Sequence, residues 1–395
     1  MLLQRECLDY VAAMTLAVPS ELRPPQRLLC GPGPTNVEPR ALAAMQQPML
    51  GHLDPDFHDL LLEVVAMLRA AYRASAGLVL PLQATGTSGM EAGIANLLEP
   101  GDTAIVGVSG FFGRRIVEIA RRHDVHVIEV EADWGEHVPN ASILDALERH
   151  PEARLVAVVH AETSTGVEHP LAELGSALRD RDTLLLADCV TSLGGVELDF
   201  DAWGIDFAYS CTQKCLGAPP GMSPVAVSER ALERLRARRS PVPFSLDLLL
   251  LEQYWGQRPV VYHHTAPILH IYALHEALRA LLDEGLEQRW ERHAAAGGLV
   301  QERLRDDGFE LIADPDHQLA PLTAVRVPEG IDGKATQGRM LREHGIEIGG
   351  GLGPAAPPMW RIGMMGPNAT TQTAERVVSA LGAVLNDDPA VAAAH

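Results

Sequence analysis

The stretch TLLLADCVTSLGG, residues 183–195, begins as an unbroken apolar run that ends in a carboxylate, Asp188. An apolar run of this length without alternation is typical of a strand buried on both faces, as in the parallel sheet of an α/β protein. The Leu and Ala side chains before Asp188 cannot stabilise a buried charge, so the carboxylate requires a partner. The stretch therefore predicts a central strand with a functional group at its carboxyl end.

Four more short apolar runs share this character and alternate with segments of helical periodicity. This alternation predicts βαβ units and a mainly parallel sheet. Ligands of such sheets bind at the carboxyl ends of the strands, so we expect the site there. The four runs are residues 103–108, 125–130, 154–160 and 206–210, and we expect each to be buried on both faces.

The rest of the chain predicts an amino-terminal arm and a second, smaller domain of α+β type. Prolines in the first 25 residues favour an extended arm. The patterns beyond the large domain are helical over roughly 267–306, strand-like at 322–328, and helical again near 334–344 and 371–386. We expect an arm over residues 1–30, a large domain over 31–280 and a small carboxyl-terminal domain over 281–395.

The composition is that of a globular protein with a sizeable core, with 395 residues, 47% hydrophobic and 21% charged. The formal net charge of −20 argues against binding to nucleic acid or to an anionic membrane, because the field of the protein repels both. No apolar run approaches the ~20 residues that a membrane-spanning helix needs, and the amino terminus is a poor signal peptide. Five cysteines, an odd number, favour reduced thiols and a cytoplasmic location.

A second polar segment, QATGTSGMEAG at residues 83–93, places glycines and small hydroxyl residues before a helix. Free backbone N–H groups and the positive end of a helix can bind a phosphate there. The alternative is an ordinary capped helix, with Thr87 or Ser88 as the cap and Glu91 completing a capping box. Taken alone, the segment favours the capped helix.

The chain is poor in lysine, yet it places Lys214 in YSCTQKCLGAPPG, residues 209–221, next to a predicted strand end. Burial of an ammonium group lowers its pKa and makes it a nucleophile that can form a Schiff base. The alternative is a salt bridge between Asp188 and Lys214 without a catalytic role. Cys211 and Cys215 flank the lysine, but no second Cys or His pair at a suitable spacing accompanies them, so we expect no metal site.

Together with the hydroxyl cluster of HAETSTG, residues 160–166, these elements fit one ligand. A helix start suits a phosphate, a buried carboxylate suits a ring nitrogen, a hydroxyl suits a phenolic oxygen, and a lysine suits an aldehyde. Pyridoxal 5'-phosphate has all four groups. A carboxylate against the pyridine nitrogen keeps it protonated, so that the ring withdraws electrons from the α-carbon of a substrate.

Eight motifs, in order, resemble those of the class V aminotransferases of fold type I, most closely the alanine–glyoxylate and serine–glyoxylate group. They are GPGPTN, GTSGMEA, GFFGRR, HAETSTGV, LADCVTSLGG, YSCTQKCLGAPPG, YHHTAP and RIGMMG, between residue 28 and about 385. The resemblance implies a large domain with a mainly parallel seven-stranded sheet, a smaller α+β domain, and pyridoxal 5'-phosphate. The implied activity moves an amino group from alanine or serine to a 2-oxo acid such as glyoxylate or pyruvate, by a ping-pong mechanism.

The resemblance also implies roles for individual residues. Lys214 forms the Schiff base and then acts as a base, while Asp188 contacts the pyridine nitrogen. Arg361 binds the substrate carboxylate, with a surface ion pair as the alternative, and Gly33 supplies backbone near the substrate. The other implied cofactor contacts are Thr85, Gly86, Thr87 and Gln213 at the phosphate, Phe112 and Val190 on the two ring faces, Thr163 at the phenolic oxygen, and Tyr262 and Thr265 from the neighbouring subunit of a homodimer.

Other activities on this scaffold stay open. Transfer from 2-aminoethylphosphonate to pyruvate, or from ureidoglycine to glyoxylate, would use the same lysine and aspartate with another donor pocket. A cysteine desulfurase is disfavoured because no cysteine follows Cys215, and a non-catalytic relative is disfavoured because Lys214 and Asp188 are both present. His263 and His264 suggest a metal pair, but adjacent side chains of a strand point to opposite faces, so we expect no shared ion.

Overall fold

The computed structural model describes residues 20–256 and 260–386, so residues 1–19 of the predicted arm and 387–395 of the predicted small domain lie outside it. The strands are β1 (Leu28–Leu29), β2 (Leu78–Leu82), β3 (Thr103–Val108), β4 (His126–Glu131), β5 (Leu155–Val159), β6 (Ala161–Glu162), β7 (Val167–Glu168), β8 (Leu184–Asp188), β9 (Phe207–Tyr209), β10 (Ser223–Val227), β11 (Leu322–Arg326), β12 (Ile346–Glu347), β13 (Gly349–Gly350) and β14 (Met359–Gly363). The α-helices are α1 (Pro39–Ala44), α2 (Pro55–Tyr72), α3 (Gly86–Leu97), α4 (Phe111–Arg122), α5 (Asn140–Arg149), α6 (Leu171–Leu178), α7 (Glu229–Ala237), α8 (Leu248–Gly256), α9 (Ile268–Glu284), α10 (Leu286–Asp306), α11 (Gly333–Glu343) and α12 (Thr371–Asn386). None of these helices has both the length and the apolar character needed to cross a membrane.

The central sheet has seven strands in the order β2–β10–β9–β8–β5–β3–β4. β10 runs antiparallel to both of its neighbours, and the other neighbouring pairs are parallel. The prediction of an α/β fold with a mainly parallel seven-stranded sheet is confirmed. One strand differs from expectation: β4 is half-exposed because it lies at the edge of the sheet, and its Glu129 and Glu131 pair with surface arginines.

The largest apolar core covers both faces of this sheet and includes every residue of β5 and most of β8. α3 packs on β9 and β10, and α4 packs on β3. Because α3 follows β2 and α4 follows β3, both helices begin at the edge where β8 and β9 end. The fold therefore gathers two helix N-termini and two strand ends at one edge of the sheet.

A second apolar core lies in the carboxyl-terminal part of the chain, around the sheet β11–β14–β13 and residues such as Trp360, Ile362 and Val377. Cys30 belongs to this core, and β1 pairs in parallel with β12. Residues 28–30 are thus anchored to the carboxyl-terminal part. The boundary between residues 280 and 281 stays a prediction, since α9 continues to Glu284.

The predicted helical segment over 267–306 is two helices, α9 and α10. Gly285 separates them with a φ of +90°, a left-handed backbone that any residue with a side chain adopts only with strain. The break lets α10 leave α9 and pack on β11. The helical pattern was recognisable, but the change of direction depends on one glycine.

Candidate active site

Lys214 lies in the turn after β9 and is only 8% exposed. Its Nζ donates a hydrogen bond to the carbonyl oxygen of Pro32. Burial lowers the pKa of Lys214, and Arg361 acts in the same direction, against the opposing influence of Asp188 and two neighbouring thiols. The amine is therefore easier to deprotonate than an exposed lysine.

Asp188 ends β8 and is 2% exposed. Its Oδ1 accepts a hydrogen bond from the Val190 N–H (2.9 Å), and its Oδ2 accepts one from the Tyr209 hydroxyl (2.6 Å). Burial raises the pKa of Asp188 to about 6, although these two donors lower it. In the described residues Asp188 and Lys214 form no ion pair, so the salt-bridge alternative is not what the structure shows.

Gly33 lies directly against Lys214. Its φ is +104°, and a Cβ built on it would lie 2.5 Å from Cδ and 2.6 Å from Cε of Lys214. The preceding residue, Pro32, supplies the carbonyl oxygen that accepts from the lysine. The segment GPGPTN thus places backbone against Lys214, and the lysine leaves no room for a side chain at residue 33.

The start of α3 differs in detail from the predicted cap. The N-cap is Thr85, whose hydroxyl accepts from the Ser88 N–H at 3.2 Å, so neither Thr87 nor Ser88 is the cap. Since a helix has no internal partner for its first N–H groups, those of Gly86 and Thr87 stay available. A Cβ on Gly86 would lie 3.2 Å from the side chains of Val190 and Cys211, which shows how closely α3 approaches the end of β8.

Gln213 immediately precedes Lys214, and its Oε1 is buried without a hydrogen-bond partner in the described residues. A buried polar atom without a partner costs free energy unless a ligand or water satisfies the group. The Gln213 carbonyl oxygen without a partner lies next to Lys214 in sequence and can accept a hydrogen bond from a ligand or from water.

The start of α4 is fixed by a buried carboxylate that the sequence analysis did not single out. Glu162 is fully buried and accepts from the N–H groups of Phe112 (3.0 Å) and Gly113 (3.3 Å) and from Ser164 N–H (3.0 Å) and Oγ (2.6 Å). Burial raises the pKa of Glu162 despite these donors. Like Asp188, it follows a buried strand, and that pattern could have identified it.

Phe112 is half-buried and packs edge-on against Phe111, with ring centroids 5.6 Å apart. The Arg115 guanidinium lies 5.0 Å from the Phe112 ring centroid and 4.8 Å from that of Phe111. It also donates to the Thr87 hydroxyl at 3.3 Å. Arg115, another residue that sequence reasoning missed, therefore links the starts of α3 and α4.

Arg361 lies in β14, the middle strand of the small sheet, and is 6% exposed. Its Nε donates to the Gly350 carbonyl (2.6 Å) and its Nη1 to the Thr163 carbonyl (3.1 Å). Burial lowers the pKa of Arg361 to about 10, with Glu162 opposing the change. The alternative of a surface ion pair is wrong, because the guanidinium is buried and bonded to backbone carbonyls that link the small sheet to residue 163.

Tyr262 and Thr265 lie on an exposed segment. Tyr262 is 58% exposed, and its ring lies 5.6 Å from His52. His263 and His264, expected to point apart on a strand, lie in a non-strand segment where their Nδ1 atoms are 2.6 Å apart. The expected opposite directions of the two side chains were wrong, because that expectation assumed extended backbone. Within residues 20–256 and 260–386, no group of three or more His, Cys, Asp or Glu side chains could hold a metal ion.

The residues at the sheet edge fit pyridoxal 5'-phosphate. In the part of the chain that the structure describes, Lys214 offers a buried amine without an anionic partner for an aldehyde, and Asp188 offers a buried carboxylate without a cationic partner for a ring nitrogen. The free N–H groups at the start of α3 suit a phosphate. The amine, the carboxylate and the helix start therefore each have a counterpart in the cofactor.

Comparisons with known proteins agree with this fit. The model of the aminotransferase class-V family matches residues 47–374. The chain is 37% identical to the alanine–glyoxylate aminotransferase of Oryctolagus cuniculus, over 93% of this chain and 96% of that protein. It is 35% identical to the (S)-ureidoglycine–glyoxylate transaminase of Bacillus subtilis, over 92% of each.

Among solved structures, the alanine–glyoxylate aminotransferase of Nostoc sp. matches with a TM-score of 0.91 and 46% sequence identity, over 94% of this chain and 98% of that one. The predicted family and cofactor are confirmed. The chain belongs to the class V aminotransferases and is a pyridoxal 5'-phosphate-dependent transaminase of fold type I.

Proposed function

We propose that this protein moves an amino group from a small amino acid, alanine or serine, to a 2-oxo acid such as glyoxylate or pyruvate, in a ping-pong sequence. The observation that carries the proposal is a buried amine and a buried carboxylate, Lys214 and Asp188, which form no ion pair among the described residues and lie near a buried arginine, Arg361. Relatives named for alanine–glyoxylate transfer share 37% and 46% of their residues with the chain.

In this proposal each face of the cofactor has its own protein contact. Phe112 and Val190 would hold the two faces of the ring, and Thr163 would donate its hydroxyl to the phenolic oxygen. Thr163 is 2% exposed, and its backbone is tied to Arg361, which supports its place inside the site. The phosphate contacts are Thr85, Gly86, Thr87 and Gln213.

The bound cofactor supplies an aldehyde that joins to an amine and a ring that withdraws electrons from the substrate's α-carbon. Lys214, whose pKa is lowered by burial, would take up the substrate's α-proton at Nζ and hold it there. Asp188 would accept a hydrogen bond from the ring nitrogen and so keep the proton there. Closure of the site by Pro32 and Gly33 keeps the amine away from water, since Gly33 lies against the lysine chain.

Arg361 is proposed to bind the carboxylate of both the amino acid and the 2-oxo acid. A guanidinium presents two parallel N–H groups to the two carboxylate oxygens. In the structure its Nε and Nη1 donate to the carbonyls of Gly350 and Thr163. These contacts orient the side chain before substrate arrives.

The two lysines of the chain make the covalent step easy to test, because Lys334 is exposed and lies on α11. The protein loaded with cofactor is treated with borohydride, which fixes the lysine–cofactor bond, and digested for mass spectrometry. We expect the cofactor mass on the Lys214 peptide of the native protein and of Lys334→Ala, and none in Lys214→Ala. Label at residue 334, or label that persists without Lys214, would refute the assignment.

The substrate is tested with a panel of amino donors against glyoxylate and pyruvate. We expect alanine or serine to give the highest kcat/KM. A preference for ureidoglycine would support the second candidate function, which the 35% identical transaminase of Bacillus subtilis favours. A preference for 2-aminoethylphosphonate would also contradict the first proposal.

We further propose a homodimer with shared sites, in which Tyr262 and Thr265 reach the phosphate of the neighbouring subunit. Exposed large side chains near this segment support it, with Tyr262 58% and Phe244 66% exposed. Mixing Lys214→Ala with a Tyr262→Ala/Thr265→Ala double variant should restore activity, because one site of the mixed dimer is then complete. Two inactive parents that stay inactive after subunit exchange would contradict shared sites.

A cytoplasmic location is part of the same proposal. The four described cysteines are free and buried, as expected of a protein kept under reducing conditions. Fractionation of cells that produce the protein, with an antibody against it, would locate it directly.

A further inference from the structure

Tyr209 has one evident task in the structure. Its ring is fully buried at the end of β9, and its hydroxyl donates to Asp188 Oδ2 at 2.6 Å. β8 and β9 are parallel neighbours, and their register places Asp188 opposite Tyr209. The two side chains therefore meet because the sheet aligns them, not because they are close in sequence.

This hydroxyl is the single side-chain donor to Asp188 in the described part of the chain. The other donor is the Val190 N–H, which no substitution short of proline removes. Burial raises the pKa of Asp188, and a hydrogen bond to the ionised form opposes that change. Short bonds from a hydroxyl to a carboxylate are among the stronger hydrogen bonds in proteins.

We propose that Tyr209 is a positioning residue that sets the proton affinity of Asp188 and thereby keeps the shared proton on the cofactor's ring nitrogen. The inference rests on the proposed role of Asp188 at that nitrogen. Without the hydroxyl the carboxylate is more basic and retains the proton. The ring then withdraws electrons less effectively, so the chemical step slows while substrate binding at Arg361 is unaffected.

Other titratable groups also face this pair. Glu162 raises the pKa of Asp188 and Lys214 lowers it, while Tyr72 and the buried thiol of Cys189 lie nearby. None of these groups hydrogen-bonds to Asp188 in the described residues. Tyr209 is therefore the side chain whose removal changes Asp188 most directly.

The test compares Tyr209→Phe with Tyr72→Phe. Tyr72 is also fully buried, but its hydroxyl donates to the Pro224 carbonyl at 2.8 Å. Each variant loses one hydroxyl and keeps the ring, so packing is preserved in both. Pyridoxamine 5'-phosphate serves as the probe because it has the ring nitrogen but no aldehyde, and its affinity for the apoprotein is measured between pH 5 and 8.

In the native apoprotein, the affinity for pyridoxamine 5'-phosphate should fall at the acid end of this pH range, because Asp188 takes up a proton there. For Tyr209→Phe we expect this acid limb to move upwards by about one pH unit, a tenfold change in proton affinity. We also expect kcat to fall about tenfold, with KM values within about twofold, since a tenfold loss of rate corresponds to 1.36 kcal/mol of barrier. Tyr72→Phe should keep the native pH profile.

An unshifted profile in Tyr209→Phe, or the same shift in both variants, would overturn the inference. The borohydride experiment separates this result from the proposed function. If the native protein carries no cofactor on Lys214, both proposals fall. If it does, and Tyr209→Phe behaves as the native protein, this inference alone is wrong.

Discussion

Substitution of Gly33 by alanine should disable the site while costing little more stability than a similar change elsewhere. Gly33 has a φ of +104°, and the new Cβ would lie 2.5 Å from Cδ, 2.6 Å from Cε and 3.0 Å from Nζ of Lys214. These atoms belong to a side chain, so the lysine and not the backbone is expected to move. The substitution should therefore displace the amine of Lys214, the proposed catalytic group.

The size of the effect follows from the distances. Carbon atoms in favourable contact are ~3.5–4.0 Å apart, so the lysine chain must move by about 1 Å. A misplacement of about 1 Å can cost a reaction ~10²-fold, equivalent to about 2.7 kcal/mol of barrier. The backbone strain of alanine at positive φ costs a further ~1–3 kcal/mol of folding free energy.

Gly101 provides the matched control. Its φ is +89°, and a Cβ there meets no atom within 4 Å. Gly101→Ala should therefore lose similar stability in urea denaturation but keep its kcat/KM and its borohydride labelling. Gly33→Ala should lose about 100-fold in kcat/KM and label slowly. If the two variants had equal activity, the idea that the site requires this close approach would be refuted.

Three further results are expected. Arg361→Lys keeps the charge but loses the two-pronged contact, so KM for amino acid and 2-oxo acid should rise at least tenfold in steady-state kinetics, with little change for a carboxylate-free amine. Glu162→Gln replaces an acceptor of four hydrogen bonds by an amide whose NH2 group faces donors. The free energy of unfolding in urea should therefore fall by ~1.5–3 kcal/mol. A fluorescence titration should also show weaker binding of the cofactor, because Phe112 loses its support. Burial lowers the pKa of His293 to about 3, below its unfolded value, so its contribution to stability is present above pH 6.5 and is lost as the pH falls towards 3. In urea titrations of the apoprotein, this histidine should make the free energy of unfolding fall by ~1.4 kcal/mol for each pH unit between pH 6.5 and 5, and His293→Gln should remove that slope.

Much of the fold was predictable because buried parallel strands leave a strong local signal. β5 and β8 are apolar at every position before their last residue, and their order with intervening helices indicates the sheet. β10 was harder to predict, since its antiparallel course depends on where the chain returns in space. The same limit applies to α9 and α10, whose separation depends on Gly285 alone.

The site was predictable where a charge interrupts an apolar pattern. Asp188 and Lys214 stand out because neither suits its surroundings without a ligand or partner. The contacts of Tyr209 and Thr85 could not be predicted in the same way. The bond from Tyr209 to Asp188 depends on the register of β8 and β9, and the capping bond of Thr85 depends on where α3 begins. His263 and His264 show the opposite error, in which an assumed strand gave side-chain directions that the irregular backbone does not have.

The charges of the site are held by neutral groups. Among the described residues, the hydrogen-bond partners of Lys214, Asp188, Glu162 and Arg361 are backbone groups, hydroxyls and carbonyls, and no ion pair reaches them. Buried charges without counter-charges destabilise a fold by several kcal/mol. A protonated ring nitrogen would supply a counter-charge to Asp188 and a substrate carboxylate one to Arg361, so ligand binding should raise stability as well as start the reaction. The groups that weaken the empty fold are thus the ones that its ligands need.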